Sequence, residues 1–206
     1  MQGHPACPVG TRTRRLAVTA VTALAAIGLA ACSGAPSSSS SPSSTPTAAS
    51  TSASPAGCAG GWRSLPMSVT HQVAVPPVPI ATGIRVGTHA DCKFDRLVID
   101  FNGAVPGYTV SFVTQVIQDP SGKTITMPGS RFLVIKFSPA QGHDASGQPT
   151  LPTTVLTVGY PMLKSYDVAG DFEGVLTIAL GLARNTMYRV GELTGEVYID
   201  VAWSGS

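Results

Sequence analysis

Between residues 58 and 203 no stretch of twelve or more residues carries an apolar stripe at helical spacing; apolar residues alternate or fall in short runs. Alternation puts successive side chains on opposite faces of an extended strand, so the pattern predicts a half-buried sheet. The predicted strands are 69–75, 80–86, 96–101, 108–117, 132–138, 153–160, 174–182, 188–193 and 197–203. Turn chemistry separates them: Asn102-Gly103, Pro106-Gly107, Asp119-Pro120-Ser121-Gly122, Pro128-Gly129 and the Gly- and Pro-bearing stretch 139–152. A short helical turn within 162–169 is the one exception. In 108–117 neither alternating set is strongly polar, which predicts a strand covered on both faces. Many short strands with frequent turns predict an all-β domain, an antiparallel β-sandwich or barrel-like sheet pair. About 145 residues is an ordinary size for one such domain with one core.

Two segments echo one another, Leu97-Val98-Ile99-Asp100-Phe101 and Val197-Tyr198-Ile199-Asp200-Val201. As strands, each turns its aspartate to the face opposite its isoleucine.

The N-terminal part follows a different grammar. Arg12, Arg14 and Arg15 precede an apolar run over residues 16–31, which ends in Leu29-Ala30-Ala31-Cys32. A charged start, an apolar middle and small residues before a cut describe a secretory signal peptide over 1–31. The run is shorter than the roughly twenty residues that span a bilayer. With cysteine at the cut, the segment resembles the lipobox of bacterial lipoproteins. That resemblance implies Cys32 diacylated on sulfur as the mature N-terminus, and a lipid anchor on the extracytoplasmic face of the cell membrane. Arg14-Arg15 invites a twin-arginine reading while Ala17 argues for Sec export, and both routes stay open. Residues 33–57 contain only Ser, Thr, Pro, Ala and Gly beyond Cys32. Such a segment buries too little apolar area to offset ordering entropy, so 32–57 reads as a disordered tether, rich in O-glycosylation acceptors.

Cleavage changes the charge. The formal +2 includes the three signal arginines; without them ten Lys/Arg stand against eleven Asp/Glu, about −1. A near-neutral chain has no electrostatic footprint for nucleic acid. Of four cysteines, Cys7 leaves with the signal and Cys32 takes the lipid. Cys58 and Cys92 remain as an even pair in an oxidising compartment, which predicts a disulfide. No Cys/His set has zinc spacing, and no metal or other cofactor is expected.

Several stretches together are similar to the AMIN-like domain of actinobacterial lipoproteins and wall-associated proteins. They are Arg85-Val86-Gly87-Thr88-His89, the run from Phe94 to Gly103, and Val105-Pro106-Gly107-Tyr108. Gly170 to Val175, Leu180-Gly181-Leu182, Tyr188-Arg189-Val190 and the run from Val197 to Val201 complete the set. The resemblance spans about 62–203, within a domain bounded at 58–206. It implies a β-rich, non-catalytic module associated with peptidoglycan or the envelope, as in the AMIN modules of cell-wall amidases. The chain departs at Glu196, where that family's closing strand begins with arginine.

A nucleophilic site needs a serine or cysteine beside an oriented base. The mature chain has His71, His89 and His143 but no G-x-S-x-G elbow. Asp171 and Glu173 form the nearest carboxylate pair. If extended, they share a face and suit either acid–base work on a glycan or a turn bonding backbone N–H groups. Two carboxylates fall short of a calcium site. Ring faces pack on sugar faces, and Tyr160 and Tyr166 read as surface rings; Trp203 reads as core, sharing a face with Val197, Ile199 and Val201. The expected ligand-binding set is Arg96, Asp100, Tyr160, Tyr166, Asp171, Glu173 and Asp200. The ligand expected is a wall polymer, peptidoglycan, or an envelope protein; the alternative is a carrier of a lipid or other apolar molecule.

Overall fold

The computed structural model describes Cys58 and residues 60–204. The predicted signal peptide, Cys32 and the tether therefore lie outside the described residues.

The described residues form twelve strands: β1 (Met67–Val69), β2 (Ile80–His89), β3 (Phe94–Asn102), β4 (Gly107–Val113), β5 (Val116–Ile117), β6 (Thr124–Ile125), β7 (Arg131–Ser138), β8 (Leu156–Thr157), β9 (Leu163–Phe172), β10 (Val175–Leu182), β11 (Tyr188–Leu193) and β12 (Glu196–Ala202). A six-stranded sheet runs β1-β4-β7-β10-β9-β8 and a four-stranded sheet runs β11-β12-β3-β2. Every strand pairing is antiparallel. The all-β sheet pair predicted from alternation is the fold.

One core joins the two sheets. Leu97 and Ile99 of β3 and Val197 and Ile199 of β12 pack with Leu133, Ile135 and Phe137 of β7 and Ile178 and Leu180 of β10. Each large side chain so buried contributes roughly 1.5–3 kcal/mol relative to exposure. The echoing segments are the two central strands of the smaller sheet, with Val197 opposite Ile99 and Ile199 opposite Leu97. Their isoleucines face the core together and their aspartates face outward, as alternation requires.

The larger sheet is covered on its second face too. A small cluster of Val116, Met127, Val134, Ala169 and Ala179 lies there under the β5–β6 ribbon. The chain bearing Pro128 crosses so close to β10 that a Cβ at Gly181 would overlap the Pro128 carbonyl. This is why β10 reads as a continuous apolar run instead of an alternating one.

Four expectations are corrected. The strand predicted over 108–117 breaks after Val113, and Val116 swings over the neighbouring face. The strand predicted over 69–75 ends at Val69, ahead of Pro76, Pro77 and Pro79, which have no N–H to give a ladder. The strand predicted over 153–160 shrinks to Leu156–Thr157. Residues 163–169 of the segment 162–169 belong to strand β9, not to a helical turn. Register shifts against β10 at Thr177/Ile178 and Gly181/Leu182 break its period of two and hid it.

Two links tie the smaller sheet to its surroundings. Cys58 and Cys92 form the predicted disulfide, with Cα atoms 5.0 Å apart. Closing that 34-residue separation is worth about 3–4 kcal/mol in the chain-entropy account. Asp95 is fully buried and accepts from the backbone N–H of Met162 at 2.6 Å, of Leu163 at 2.8 Å and from Trp203 Nε1 at 2.8 Å. Trp203 is thus half-buried just past the end of β12, held by its indole N–H as well as by packing against the core.

Candidate functional site

The outward face of the four-stranded sheet carries an ordered set of charges and rings. Cross-strand register sets it. Gly83 stands opposite Asp100 and Asp100 opposite Glu196; Arg85 stands opposite Val98 and Val98 opposite Tyr198. Gly87 stands opposite Arg96, Arg96 opposite Asp200 and Asp200 opposite Arg189. Directly opposed side chains sit about 4.5–5.5 Å apart at Cβ, so opposite charges in these rows must meet.

They meet in two groups. Asp200 is 0% exposed although it points away from the core. Its Oδ1 accepts from Arg96 Nε at 2.6 Å, and its Oδ2 accepts from Arg96 Nη2 at 2.9 Å and Arg189 Nε at 2.6 Å. Two guanidiniums thereby satisfy a carboxylate that burial alone would make costly. Hydrogen bonding to Asp200 holds the Arg96 guanidinium above its ordinary pKa, against desolvation. In the second group Arg85 donates from Nε to Asp100 Oδ2 at 2.9 Å and from Nη2 to Oδ1 at 2.6 Å. Its Nη2 also lies 2.9 Å from Glu196 Oε1. The hydrogen bonds and charge of Asp100 raise the Arg85 pKa in the same sense.

Aromatic rings fill the spaces between. Arg96 lies 4.0 Å over the ring of Tyr198 and 5.4 Å from that of Phe94. Arg189 lies 4.8 Å over both Trp62 and Phe94. His89 stacks on Phe94 with ring centroids 4.4 Å apart. Tyr198 lies across Gly191, where any Cβ would overlap the ring. Gly87 does the opposite: a Cβ there meets nothing within 4 Å. It floors an open hollow of about 290 Å³ bounded by Arg85, Arg96, Tyr198, Glu196 and Leu193.

Of the predicted ligand-binding set, Arg96, Asp100 and Asp200 come together on this face. The other four do not join them. Tyr160 packs against the core with its hydroxyl 3.4 Å from the Val86 carbonyl. Tyr166, predicted as a surface ring, is only 7% exposed, and burial raises its pKa. The irregular register of β9 turns it inward.

Asp171 and Glu173 do not share a strand face, because β9 ends at Phe172 and Glu173 turns through φ 49°. With Gly174 at φ 73°, Glu173 makes the tight two-residue β9–β10 turn. Asp171 instead accepts from His143 Nδ1 at 2.6 Å. Among the described residues no hydroxyl or thiol is hydrogen-bonded to that histidine, and no group of three or more metal-binding side chains gathers. His71 sits elsewhere, 3.0 Å from the Val105 carbonyl and 3.5 Å from Glu192.

Arg85, Arg189, Gly87, Gly191 and Tyr198 belong to the face without having been singled out for it. The paired aspartates of the echo were the available signal, since outward acids on neighbouring strands require cations from the strands beside them.

Searches among curated proteins and solved structures return no match at a significant level. The family model of the AMIN-like domain matches residues 79–203. That match runs from β2 to β12 and contains every arginine and carboxylate of the outer face. The chain that builds this charged, ring-filled sheet face therefore belongs to the AMIN-like domain family, whose members are typically non-catalytic binding modules.

Proposed function

We propose that the protein is a lipid-anchored, non-catalytic module of the cell envelope whose outer sheet face binds peptidoglycan. The observation that carries the reading is the hollow at Gly87, walled by Arg85, Arg96, Tyr198 and Glu196 on an exposed face. Donors, acceptors and apolar surface converge there, and among the described residues no group of three or more metal-binding side chains gathers. The lipobox-like segment ending at Cys32 supports membrane attachment, and the tether after it supports reach into the wall. An envelope protein is the partner if the polymer is not.

Co-sedimentation of the full chain, in detergent, with purified insoluble peptidoglycan tests this. Retention is expected for the parent and lost for Gly87→Leu, whose side chain enters open space and plugs the hollow. No retention of the parent overturns the polymer reading in favour of a protein partner. Equal retention of both chains removes the hollow from it.

The alternative of an apolar carrier finds less support. Tyr188, Phe137, Leu97, Ile99, Leu133 and Ile135 are fully buried between the sheets and fill the space such a ligand would need.

A further inference from the structure

Resting on that peptidoglycan reading, we infer that the hollow at Gly87 recognises a zwitterionic amino-acid group of the peptide portion, a carboxylate and an ammonium on an aliphatic stalk, and not the sugar rings.

Ring placement argues first. Carbohydrate stacking needs an open aromatic face, and the rings of this surface are already engaged by cations. Tyr198 has Arg96 at 4.0 Å and lies against Gly191 on its strand neighbour. Trp62 has Arg189 at 4.8 Å, and Phe94 is buried under His89, Arg96 and Arg189. A sugar stacking there would have to displace cation–π contacts worth about 0.5–2 kcal/mol each.

Charge balance argues second. Arg85, Arg96 and Arg189 are matched by Asp100, Glu196 and Asp200. A purely anionic polymer gains no net attraction from such a surface, and a polycation gains none either. Local valences remain on both sides. Among the described residues no hydrogen bond engages Nη1 of Arg85 or of Arg96, or Oε2 of Glu196, whose Oε1 lies 2.9 Å from Arg85 Nη2. Guanidinium edges suit a carboxylate, and the remaining carboxylate oxygen suits an ammonium.

The walls supply the third element. Leu193 is 59% exposed at the rim, and Val98 lines the base between Arg85 and Tyr198. Methylene groups of a ligand stalk would cover that apolar surface at about 25 cal/mol per Å² removed from water.

The test is an amide NMR titration of the full chain in detergent micelles with meso-diaminopimelate. Pimelate, which lacks its amines, and 1,5-diaminopentane, which lacks its carboxylates, are the comparators, beside N-acetylglucosamine. Shifts at the Gly87 and Leu193 amides are expected with diaminopimelate, with binding on the order of tenfold weaker for either comparator. Glu196→Gln should erase the preference over pimelate, and Gly87→Leu should abolish the shifts while keeping a dispersed spectrum. Equal binding of pimelate overturns the inference in favour of an anion site. Shifts with N-acetylglucosamine overturn it in favour of sugar recognition. No shift with any probe, while peptidoglycan still retains the chain, overturns the inference and leaves the reading above intact; loss of both removes both.

Discussion

Arg96 and Asp200, 104 residues apart in sequence, form a two-point ion pair on the outward face of adjacent strands, with N–O distances of 2.6 and 2.9 Å. A buried ion pair adds little stability relative to an apolar pair, but removing one partner leaves an uncompensated charge. Asp200→Ala abandons both Arg96 and Arg189, so a loss of about 3–5 kcal/mol is expected in urea unfolding. An unchanged midpoint would mean the arginines find solvent at no cost.

Asp95 makes a comparable demand inside the fold. It accepts from the N–H groups of Met162 and Leu163 and from the indole of Trp203. Asp95→Ala orphans all three donors and should cost about 3–5 kcal/mol. Trp203 fluorescence should shift to the red as its ring loosens.

Two glycines should respond differently to alanine. At Gly181 the obstacle is the Pro128 carbonyl, a backbone atom, and overpacking of this kind costs about 1–3 kcal/mol or more. At Gly191 the obstacle is the far end of Tyr198, which can rotate away. Gly191→Ala should therefore melt within a few degrees of the parent, about what a change under 1 kcal/mol produces. Its signature should be altered Tyr198 ring resonances in NMR.

Asp167 is buried, and desolvation raises its pKa against an opposing backbone hydrogen bond from Val168. The folded state therefore holds its proton more tightly than the unfolded chain. Stability is favoured below the ordinary carboxyl range and falls as pH rises through the raised folded pKa. Asp167→Asn should gain stability over the parent at neutral pH, and the gain should vanish in acid. Melting temperatures of both chains across pH measure the difference, and a gain independent of pH would assign it to something other than ionisation.

The expectation at Cys32 has its own measurement. Cys32→Ala should move the protein from the detergent phase to the aqueous phase in Triton X-114 partitioning. Detergent-phase recovery of the variant would show another anchor.

How far the sequence was legible depends on which contacts were local. Strands β3, β7, β11 and β12 were readable because their inward residues keep a strict period of two, and the outward placement of Asp100 and Asp200 followed from it. Where bulges break that period, in β9, the segment was misread and Tyr166 was put on the wrong side. The break after Val113 was invisible because Val116 is buried by residues far along the chain, Met127, Ala169 and Ala179. For the site, Arg96 and the two aspartates were legible, and Arg85 and Arg189 were not. Arg85 and Arg189 reach the aspartates only through strand register, which is a tertiary fact.

The Cys58–Cys92 bond also gives the domain a load path. Tension arriving from the N-terminal side at Cys58 crosses the disulfide and enters the chain at Cys92, two residues before β3 begins. The backbone between the two cysteines, including β1 and β2, is not part of that covalent route. Force is delivered to a central strand held by antiparallel ladders to β12 and β2 and by the Asp95 bonds at its start, so it reaches β2 and its hollow through the sheet hydrogen bonds and not along the backbone between the cysteines.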